Sequence, residues 1–420
     1  MDLIADLEAR GLIHDSTDRE FLRARVQDGP VGIYYGCDPT ADSLHVGNLI
    51  GLIVLRRFQD AGHRAIALAG GATGMVGDPG GRSEERNLLD DATLSSNVAA
   101  IKAQLGRIVD LSDPDRGVLV DNRDWTDEIS LLEFLRDVGK HVTVNQMMAR
   151  ESVKIRLESE HGISFTEFSY MLLQANDFLW LHDHLGCDIQ IGGSDQWGNI
   201  ISGVDLIRRK RQDAVHAFSW PLLKASDGTK LGKTTGARTW LDPAKTSPYQ
   251  LRQYFMQIAD EDVRAQMLAF SLRPVVEIEA VLADHAEAPH HRAAQRALAH
   301  EVTALVHGDG AAAAADEAAD VLFGSDPSTA SLAGLEAVAA EVPSSRMTPV
   351  QLEDLLGLLV AAGLATSNSD ARRTLEGSGY KCNGATLDAN SQLSDHATLH
   401  GRYLLLQRGK KSHHLVEIFL

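Results

Sequence analysis

The sequence predicts an α/β fold in which a domain built on a parallel sheet is followed by a helical domain and a small α+β domain. The first observation is a strand, helix, strand pattern over residues 31–75: VGIYYG, then a turn and an apolar helix, then RAIALAGG. Such a βαβ unit pairs its strands in parallel. The second is an Ala-rich helical stretch after Pro248. The third is a hairpin pattern, RYLLLQRGKKSHHLVEIF, that turns near Gly409.

Composition and charge limit the class of protein. Of the 420 residues, 44% are hydrophobic and 23% are charged, which is typical of a globular chain with a sizeable core. The cysteines are few and widely spaced, which favours neither a disulfide framework nor a zinc site. This cysteine usage predicts a reduced, cytoplasmic setting. No apolar run approaches the roughly 20 residues of a membrane span, so we expect no membrane segment. A net charge of -18 argues against general nucleic-acid binding, because phosphates attract cations.

The turn after the first strand is a candidate phosphate site. Its sequence, DPTADSLHVGN, ends where the next helix begins, so unpaired backbone N–H groups and the positive end of the helix dipole meet there. Gly47 allows a nucleotide to approach closely, and His45 and Asn48 can donate to phosphate oxygens from one helix face. Taken alone, an H-x-G-N turn is more often a capped helix with a surface histidine.

A second candidate lies in a polar loop, SDGTKLGKTTGART, at residues 226–239. Its Lys230, Lys233 and Thr234 form a flexible cationic arm that can close over a polyphosphate. A loop of this kind is, by itself, usually only a solvated loop. The turn and the loop together, in this order along the chain, are more specific than either alone.

A long helix, ISFTEFSYMLLQANDFLW, carries a polar stripe. Ser164 and Glu167 form a capping box at its start, and Tyr170, Gln174 and Asp177 follow at i, i+4 and i+7 on one face. The flanking faces are apolar, so burial of this stripe without partners would be costly. The stripe is either a solvated face or the wall of a pocket that hydrogen-bonds a polar small molecule.

The histidine turn and the lysine loop resemble the two signatures of class I aminoacyl-tRNA synthetases, with Asn48 in place of a second histidine. Four segments are similar to bacterial tyrosyl-tRNA synthetases in particular: YYGCDPTADSLHVGN, GGATGMVGDP, GISFTEFSYMLLQANDF and QIGGSDQWGN. The similarity extends over essentially the whole chain. It implies a Rossmann-like catalytic domain that activates L-tyrosine with ATP and charges tRNA(Tyr), in a homodimer whose two subunits are spanned by one tRNA.

The resemblance also implies roles for individual residues. Tyr34 and Asp177 would hold the phenol of tyrosine, and Gln196 would face its carboxylate. Its ammonium would be held by Asp78, Tyr170 and Gln174. The adenosine and ribose of ATP would be lined by Gly36, Asp38, Gly47, Gly193 and Asp195, with Lys233 also binding ATP.

Catalysis of tyrosine activation is expected to consist of positioning and charge stabilisation, because the attacking carboxylate is already an anion. Asn48 keeps a donor there but cannot carry charge. We expect Mg²⁺ to accompany ATP, ligated by phosphates and water, with no metal bound by the protein alone. The residues expected to act are Thr40, His45 and Asn48 in the turn, Lys230, Lys233 and Thr234 in the loop, and Arg82 and Arg86 in GDPGGRSEER.

The predicted boundaries are 1–225 for the catalytic domain with the dimer interface, 226–248 for the mobile loop, 249–325 for a helical tRNA-binding domain, 326–350 for a linker and 351–420 for an S4-like RNA-binding domain. Residues 371–420 carry seven basic against four acidic side chains, so a locally basic tail ends an acidic protein. The predicted tRNA contacts are Arg208, Arg209, Lys210 and Arg211 at a helix end, and Arg372, Arg373, Lys410 and Lys411 in the tail.

Three other interpretations stay open from the sequence. A tryptophan-activating relative should lack the pair Tyr34 and Asp177. A small-molecule adenylyltransferase also uses such a histidine turn but would not need an S4-like tail. A catalytically idle paralogue that binds RNA would not need the lysine loop with Lys230 and Lys233.

Overall fold

The computed structural model describes residues 2–78, 89–158, 162–222, 233–234 and 237–419. The chain divides into two compact units. Unit 1 comprises Met1–Lys245 and Gln257–Leu298, and unit 2 comprises Thr246–Met256 and Ala299–Leu420. Within the described ranges, no helix has both the length and the apolar character that crossing a membrane requires.

The helices and strands follow in chain order. The helices are α1 (Leu3–Ala9), α2 (Arg19–Gln27), α3 (Val46–Asp60), α4 (Thr73–Val76), α5 (Asp91–Ile108), α6 (Arg123–Thr126), α7 (Leu131–Asp137), α8 (Val144–Met148), α9 (Glu151–Leu157), α10 (Phe165–Leu185), α11 (Trp197–Arg211), α12 (Pro248–Met256), α13 (Asp260–Phe270), α14 (Val275–Glu287), α15 (Ala293–His307), α16 (Asp309–Leu322), α17 (Leu332–Glu341), α18 (Leu355–Ala361) and α19 (Asn368–Glu376). The strands are β1 (Gly32–Cys37), β2 (Arg64–Ala69), β3 (Gly117–Asp121), β4 (Cys187–Gly193), β5 (His216–Trp220), β6 (Lys233–Thr234), β7 (Ala237–Arg238), β8 (Ser344–Met347), β9 (Tyr380–Cys382), β10 (Ala385–Leu387), β11 (Tyr403–Arg408) and β12 (Ser412–Ile418).

Unit 1 is built on a five-stranded parallel sheet with the strand order β3-β2-β1-β4-β5. The predicted parallel α/β fold is confirmed, and β1 and β2 are the two strands of the predicted βαβ unit. The backbones of β1 and β4 approach closely, because a Cβ added at Gly32 would lie 2.6 Å from the carbonyl oxygen of Gly186. Gly186 itself ends α10 in the left-handed conformation, with φ of 64°, which glycine adopts without strain.

One apolar cluster fixes α10 against this sheet. Tyr34 of β1 and Leu68 of β2 pack with Met171 and Phe178 of α10 and with Leu206 of α11. The apolar flanks of the polar stripe are therefore buried, and the stripe itself is directed toward the carboxyl ends of the strands. This burial decides between the two alternatives for the stripe, in favour of a pocket wall.

Unit 2 contains a mixed sheet with the order β10-β9-β11-β12-β8, in which only β12 and β8 pair in parallel. Side chains of β11 alternate between two clusters: Leu404 and Leu406 pack with α18 and α19, whereas Tyr403 and Leu405 pack with α16 and α17. The sheet is thus covered on both faces. The predicted hairpin is β11 and β12, and Gly409 in its turn has φ of 59°. The small α+β domain is confirmed.

The segment 326–350, predicted as a linker, contains α17 and β8. Ser331 caps α17 by accepting from the backbone N–H of Gly334, and Leu335 and Val338 are buried in the cluster beneath β11. β8 adds to the edge of the sheet along β12. The Pro- and Ser-rich flanks of this segment obscure a short amphipathic helix, because its stability depends on the cluster it joins.

Candidate active site

A cavity of about 400 Å³ lies at the carboxyl ends of β1 and β4. These strands are neighbours in the sheet, but the chain continues from β1 to β2 on one side and from β4 to β5 on the other. The connections therefore diverge, and the crevice left between them is where open α/β sheets bind ligands. The first turn of α3 and the polar stripe of α10 contribute to its walls.

The cavity brings together most of the residues predicted from the sequence. All six predicted tyrosine-binding residues line it, as do the predicted residues of the turn and of the adenosine site. They are Tyr34, Gly36, Asp38, Thr40, His45, Gly47, Asn48, Asp78, Tyr170, Gln174, Asp177, Gly193, Asp195 and Gln196.

The lysine loop is only partly described. Lys233 and Thr234 form β6, whose backbone pairs with β7, so that Lys233 is opposite Arg238. Arg238 lines the cavity, although the side chains of Lys233 and Thr234 lie outside the described part of the chain. Three further predicted phosphate-binding residues also lie outside the described residues: Arg82, Arg86 and Lys230.

The buried end of the cavity holds the most perturbed carboxyl group in the site. Asp177 accepts 2.9 Å hydrogen bonds from the Asn122 side-chain amide and from the Trp125 indole N–H. Burial raises the pKa of Asp177 to about 7, although both hydrogen bonds act to lower it. Among the described groups the buried Tyr34 hydroxyl has no hydrogen-bond partner. Burial, and then the charge of Asp177, raise the pKa of Tyr34 well above its usual value.

The middle of the cavity contains two carboxylates that are already hydrogen-bonded by neighbouring side chains. The Tyr170 hydroxyl donates to Asp38 over 2.7 Å. Gln196 donates to Asp78 over 2.6 Å. The Gln174 side-chain oxygen is buried without a partner among the described groups. Carboxylate and amide oxygens therefore converge here, which makes this part of the cavity suited to an ammonium group.

His45 and Asn48 form a capping box at the start of α3. The backbone N–H of Gly47 donates to His45 Nδ1 over 3.0 Å, and the backbone N–H of His45 donates to Asn48 Oδ1 over 3.1 Å. Burial, and then the charge of Arg238, lower the pKa of His45 to about 4. His45 is therefore neutral near pH 7, and because Nδ1 is an acceptor its proton is on Nε2. The side-chain oxygen of Asn48 is used by the cap. Burial raises the pKa of Tyr35 well above its usual value, and the neighbouring Asn48 side chain acts to lower it.

Several residues that the sequence analysis did not single out belong to this site. Asn122 and Trp125 follow directly after β3, and polar residues at the carboxyl end of a parallel strand were the signal that could have found them. Gln190 lies within β4, lines the cavity and is only 1% exposed. An amide between two isoleucines in the run CDIQIGG was its signal. Tyr35, beside Asn48, also lines the cavity.

The predicted tRNA contacts lie outside the cavity lining. At the end of α11, Arg208 pairs with Asp205 at 2.8 Å, Arg211 pairs with Asp183 at 2.6 Å, and Arg209 donates to Gln146 over 3.3 Å. In unit 2, α19 and the turn between β11 and β12 carry the other predicted contacts, which are Arg372, Arg373, Lys410 and Lys411.

Comparisons with known proteins identify the class. A model of the class I tRNA synthetases (W and Y) matches residues 27–324, and a model of the SYY-like C-terminal domain of tyrosine–tRNA ligases matches residues 334–416. The chain therefore belongs to the class I tRNA synthetases. Within that class it is a member of the tyrosine–tRNA ligases, as the resemblance predicted.

The individual relatives support this membership over the full length. The tyrosine–tRNA ligase of Opitutus terrae is 49% identical over 426 residues and covers 100% of both chains. That of Roseiflexus castenholzii is 44% identical over 422 residues and covers 99% of both. A solved structure, the C-terminally truncated mitochondrial tyrosyl-tRNA synthetase of Aspergillus nidulans, is 35% identical with a TM-score of 0.69, and the match covers 77% of this chain and 94% of that one.

The buried carboxyl of Asp177 makes the stability of the substrate-free protein depend on pH. Its pKa rises from 3.8 to about 7 on folding, so the folded state binds more protons within this window. The free energy of unfolding should therefore fall as pH rises, by about 3 kcal/mol between about pH 5 and about pH 8. Asp177→Asn removes the titrating group, and this fall should disappear in urea denaturation.

Asp60→Asn is the matched control, because it makes the same charge change at the exposed partner of Arg56. This variant should keep the pH dependence of the wild type. An identical pH dependence in Asp177→Asn and the wild type would contradict the assignment of the raised pKa to Asp177.

Proposed function

We propose that the cavity binds L-tyrosine and ATP, that it forms tyrosyl-adenylate and pyrophosphate, and that tyrosine is then transferred to the 3′ end of tRNA(Tyr). The observation that carries this proposal is the Tyr34 hydroxyl, which has no partner within the described ranges and lies at the same buried end of the cavity as the Asp177 carboxylate. A phenol satisfies both groups, since its oxygen accepts from Tyr34 and its O–H donates to Asp177.

The pair Tyr34 and Asp177 also argues against phenylalanine and tryptophan as the substrate. Phenylalanine would fill the space but leave both groups buried without partners, at about 1–3 kcal/mol for each. Tryptophan offers an N–H donor but no acceptor for the Tyr34 hydroxyl. The buried end of the cavity thus favours tyrosine over the substrate of a tryptophan-activating relative. The retained turn and cavity also favour an active enzyme over an idle RNA-binding paralogue.

The middle of the cavity would receive the backbone end of tyrosine. We assign the ammonium to Asp78, Tyr170 and Gln174, because the oxygens of these side chains converge there. Gln196 has an amide N–H₂ group that can face the substrate carboxylate. Its present hydrogen bond to Asp78 would then be exchanged for one to the substrate.

ATP would lie across the start of α3. Gly36, Asp38, Gly47, Gly193 and Asp195 would line the adenosine and ribose. The Nε2–H of neutral His45 is a donor for a phosphate oxygen, and the positive end of the α3 dipole adds favourable potential. The backbone N–H groups of residues 45–48, which the sequence analysis expected to be unpaired, all have partners within the protein. The residues proposed to complete the phosphate contacts are Thr40, Asn48, Arg82, Arg86, Lys230, Lys233 and Thr234.

In the reaction, a carboxylate oxygen of tyrosine attacks the α-phosphorus of ATP, and the bond to pyrophosphate breaks. No general base is needed, because the nucleophile is an anion, so the protein positions the reactants and stabilises charge on the phosphates. Mg²⁺ enters with ATP as part of the substrate. Across the described ranges no group of three or more His, Cys, Asp or Glu is arranged to hold a metal ion, so we assign its ligands to phosphates and water.

Exchange of pyrophosphate into ATP, measured with each of the twenty amino acids, tests substrate and activity together. Exchange should occur with tyrosine alone. The proposal would be contradicted if tryptophan supported exchange, or if none of the twenty amino acids did.

Two variants should separate the two ends of the cavity in the same assay. Asp177→Ala should weaken tyrosine binding and leave ATP binding unchanged, because it removes the phenol acceptor. His45→Ala should lower the maximal rate by about 100-fold with tyrosine binding nearly intact, because the lost donor acts on the phosphates. A matched loss of tyrosine affinity in His45→Ala would count against its assigned role.

The basic tail is proposed to hold the tRNA. Arg372 and Arg373 on α19 are exposed, and Arg373 is 80% exposed despite a 3.3 Å contact with Asp370. Lys410 and Lys411 are exposed in the turn between β11 and β12. Together with Arg208, Arg209, Lys210 and Arg211 they supply the cations that RNA phosphates require. We retain 1–225, 226–248, 249–325 and 351–420 as the proposed functional division, and assign α17 and β8 of 326–350 to the small α+β domain.

Replacing both Lys410 and Lys411 by Ala should lower the rate of tRNA charging and its dependence on salt, while pyrophosphate exchange stays at the wild-type rate. The matched control replaces both by Arg and keeps the charge, so charging should be retained. Unchanged charging in the Ala variant would refute a tRNA contact at this turn.

A homodimer is proposed from an exposed apolar surface in unit 1. The most exposed of its side chains are Leu131, Leu132, Val144 and Phe165, at 71%, 79%, 58% and 76%. Side chains of this size are usually covered in a stable assembly.

A cytoplasmic location is proposed as well, since the three cysteines are buried and unpaired.

Sedimentation should detect a dimer of the wild-type chain that dissociates when Leu131 and Leu132 are both replaced by Asp, because charges would then be buried in the interface. Val276, also 72% exposed but in α14, provides the control: Val276→Asp should remain dimeric. A monomeric wild-type chain at micromolar concentration would overturn the proposed dimer.

A further inference from the structure

Three stacked aromatic rings run from the buried end of the cavity to the surface of unit 1. The Trp125 and Trp180 rings are 4.2 Å apart, centroid to centroid, with an angle of 11° between their planes. The Trp180 and His184 rings follow at 4.3 Å and 15°. Trp125 is 3% exposed, whereas His184 lies on the surface. These three residues are called the ring stack below.

The inner ring of the stack holds the group that would recognise the phenol. The indole N–H of Trp125 donates to Asp177 over 2.9 Å. This N–H lies in the plane of the indole, so any tilt of the ring turns the donor away from the carboxylate. Asn122 and Trp125 each donate one hydrogen bond to Asp177. The orientation of the Trp125 ring therefore controls the second of these bonds.

The short helix that carries Trp125 gives its ring little support. α6 has four residues and no side-chain hydrogen bond at its N-cap. A single helical turn has little stability of its own, so the conformation of Trp125 depends on what packs against it. Trp180 covers the face of the ring in a near-parallel stack, and stacked rings of this kind contribute beyond the area they bury.

Both attachments of Trp125 come from the same helix. Asp177, Trp180 and His184 lie at i, i+3 and i+7 on α10, and therefore extend the polar stripe of Tyr170 and Gln174 by two further positions. His184 is itself held in place, because its Nδ1 is 2.9 Å from the carbonyl oxygen of Trp180 and can donate to it. The Trp125 indole therefore contacts α10 at two successive turns, through a hydrogen bond to Asp177 and a ring contact with Trp180.

We propose that Trp180 and His184 are positioning residues for tyrosine recognition, since the ring stack aims the Trp125 N–H at Asp177 and so fixes the carboxylate that accepts from the phenol. This inference rests on the proposed function of the cavity. Neither residue lines the cavity, so we assign their effect on the substrate to the contacts through Trp125 and Asp177.

Binding of tyrosine and of ATP, each measured alone by equilibrium dialysis, tests the inference. Trp180→Leu removes the stack and should raise the dissociation constant for tyrosine by roughly 10-fold, the weakening expected when a hydrogen bond to a carboxylate is misaligned. ATP binding should stay within about twofold. Trp180→Phe keeps a ring that can stack and should largely restore tyrosine binding. His184→Ala should raise the tyrosine constant by about threefold.

The stack can be followed directly by circular dichroism, because two stacked indoles give a coupled pair of bands that Trp180→Leu should abolish. Leu185→Ala is the matched control: Leu185 is on the same helix end and packs against the same apolar cluster, but is not in the stack. It should leave both the bands and the tyrosine constant unchanged.

Each outcome bears on one proposal. If the wild-type chain binds no tyrosine, the proposed function fails. If the wild-type chain binds tyrosine but the Trp180 and His184 variants bind it equally well, the positioning role is overturned. Equal weakening of tyrosine and ATP binding, or the same weakening in Leu185→Ala, also overturns it, because packing alone would explain both. If Trp180→Leu does not fold, the surface variant His184→Ala decides by the same comparison.

Discussion

The parallel pairing of β1 with β4 is the contact on which the rest of unit 1 depends. Each strand continues to a different side of the sheet, so the loops beyond their carboxyl ends separate and a cavity opens between them. The two backbones approach closely at Gly32, and the register of the pair shifts between Gly32 and Ile33. As a result Tyr34 at one end of the chain and the stripe of α10, far along it, are brought to one wall.

The burial of the Asp177 carboxylate is electrostatically unfavourable. Asp177 is removed from water beside Asp38 and Asp121, whose charges add to the rise of its pKa. Asn122 and Trp125 offset part of that cost by hydrogen bonding. A site that keeps an acceptor buried in this way can discriminate on one hydroxyl, because a ligand without it leaves polar groups unpaired. Stability is thereby exchanged for selectivity, as is usual at functional sites.

Sequence patterns identified the elements with strong local signals. Ser164 caps α10 at the predicted start, by accepting from the backbone N–H of Glu167. α17 was missed, because its helix is stabilised by the cluster beneath β11 and its proline- and serine-rich flanks resemble a linker. His45 was expected to be a phosphate donor on a helix start, but its use of Nδ1 in the cap, which leaves Nε2–H as the donor, required the three-dimensional geometry.

The sequence by itself determined the α/β class, the helix start at His45 proposed to bind phosphate, and the polar stripe of α10, because each depends on residues close together in the chain. The tertiary structure alone decided that the stripe faces a cavity and that Asn122 and Trp125 hold Asp177. It alone decided that Trp180 stacks on Trp125 and that His184 stacks on Trp180. Hydrogen bonds and ring contacts between distant segments depend on how the sheet and α10 pack, and periodicity within one segment carries no record of them.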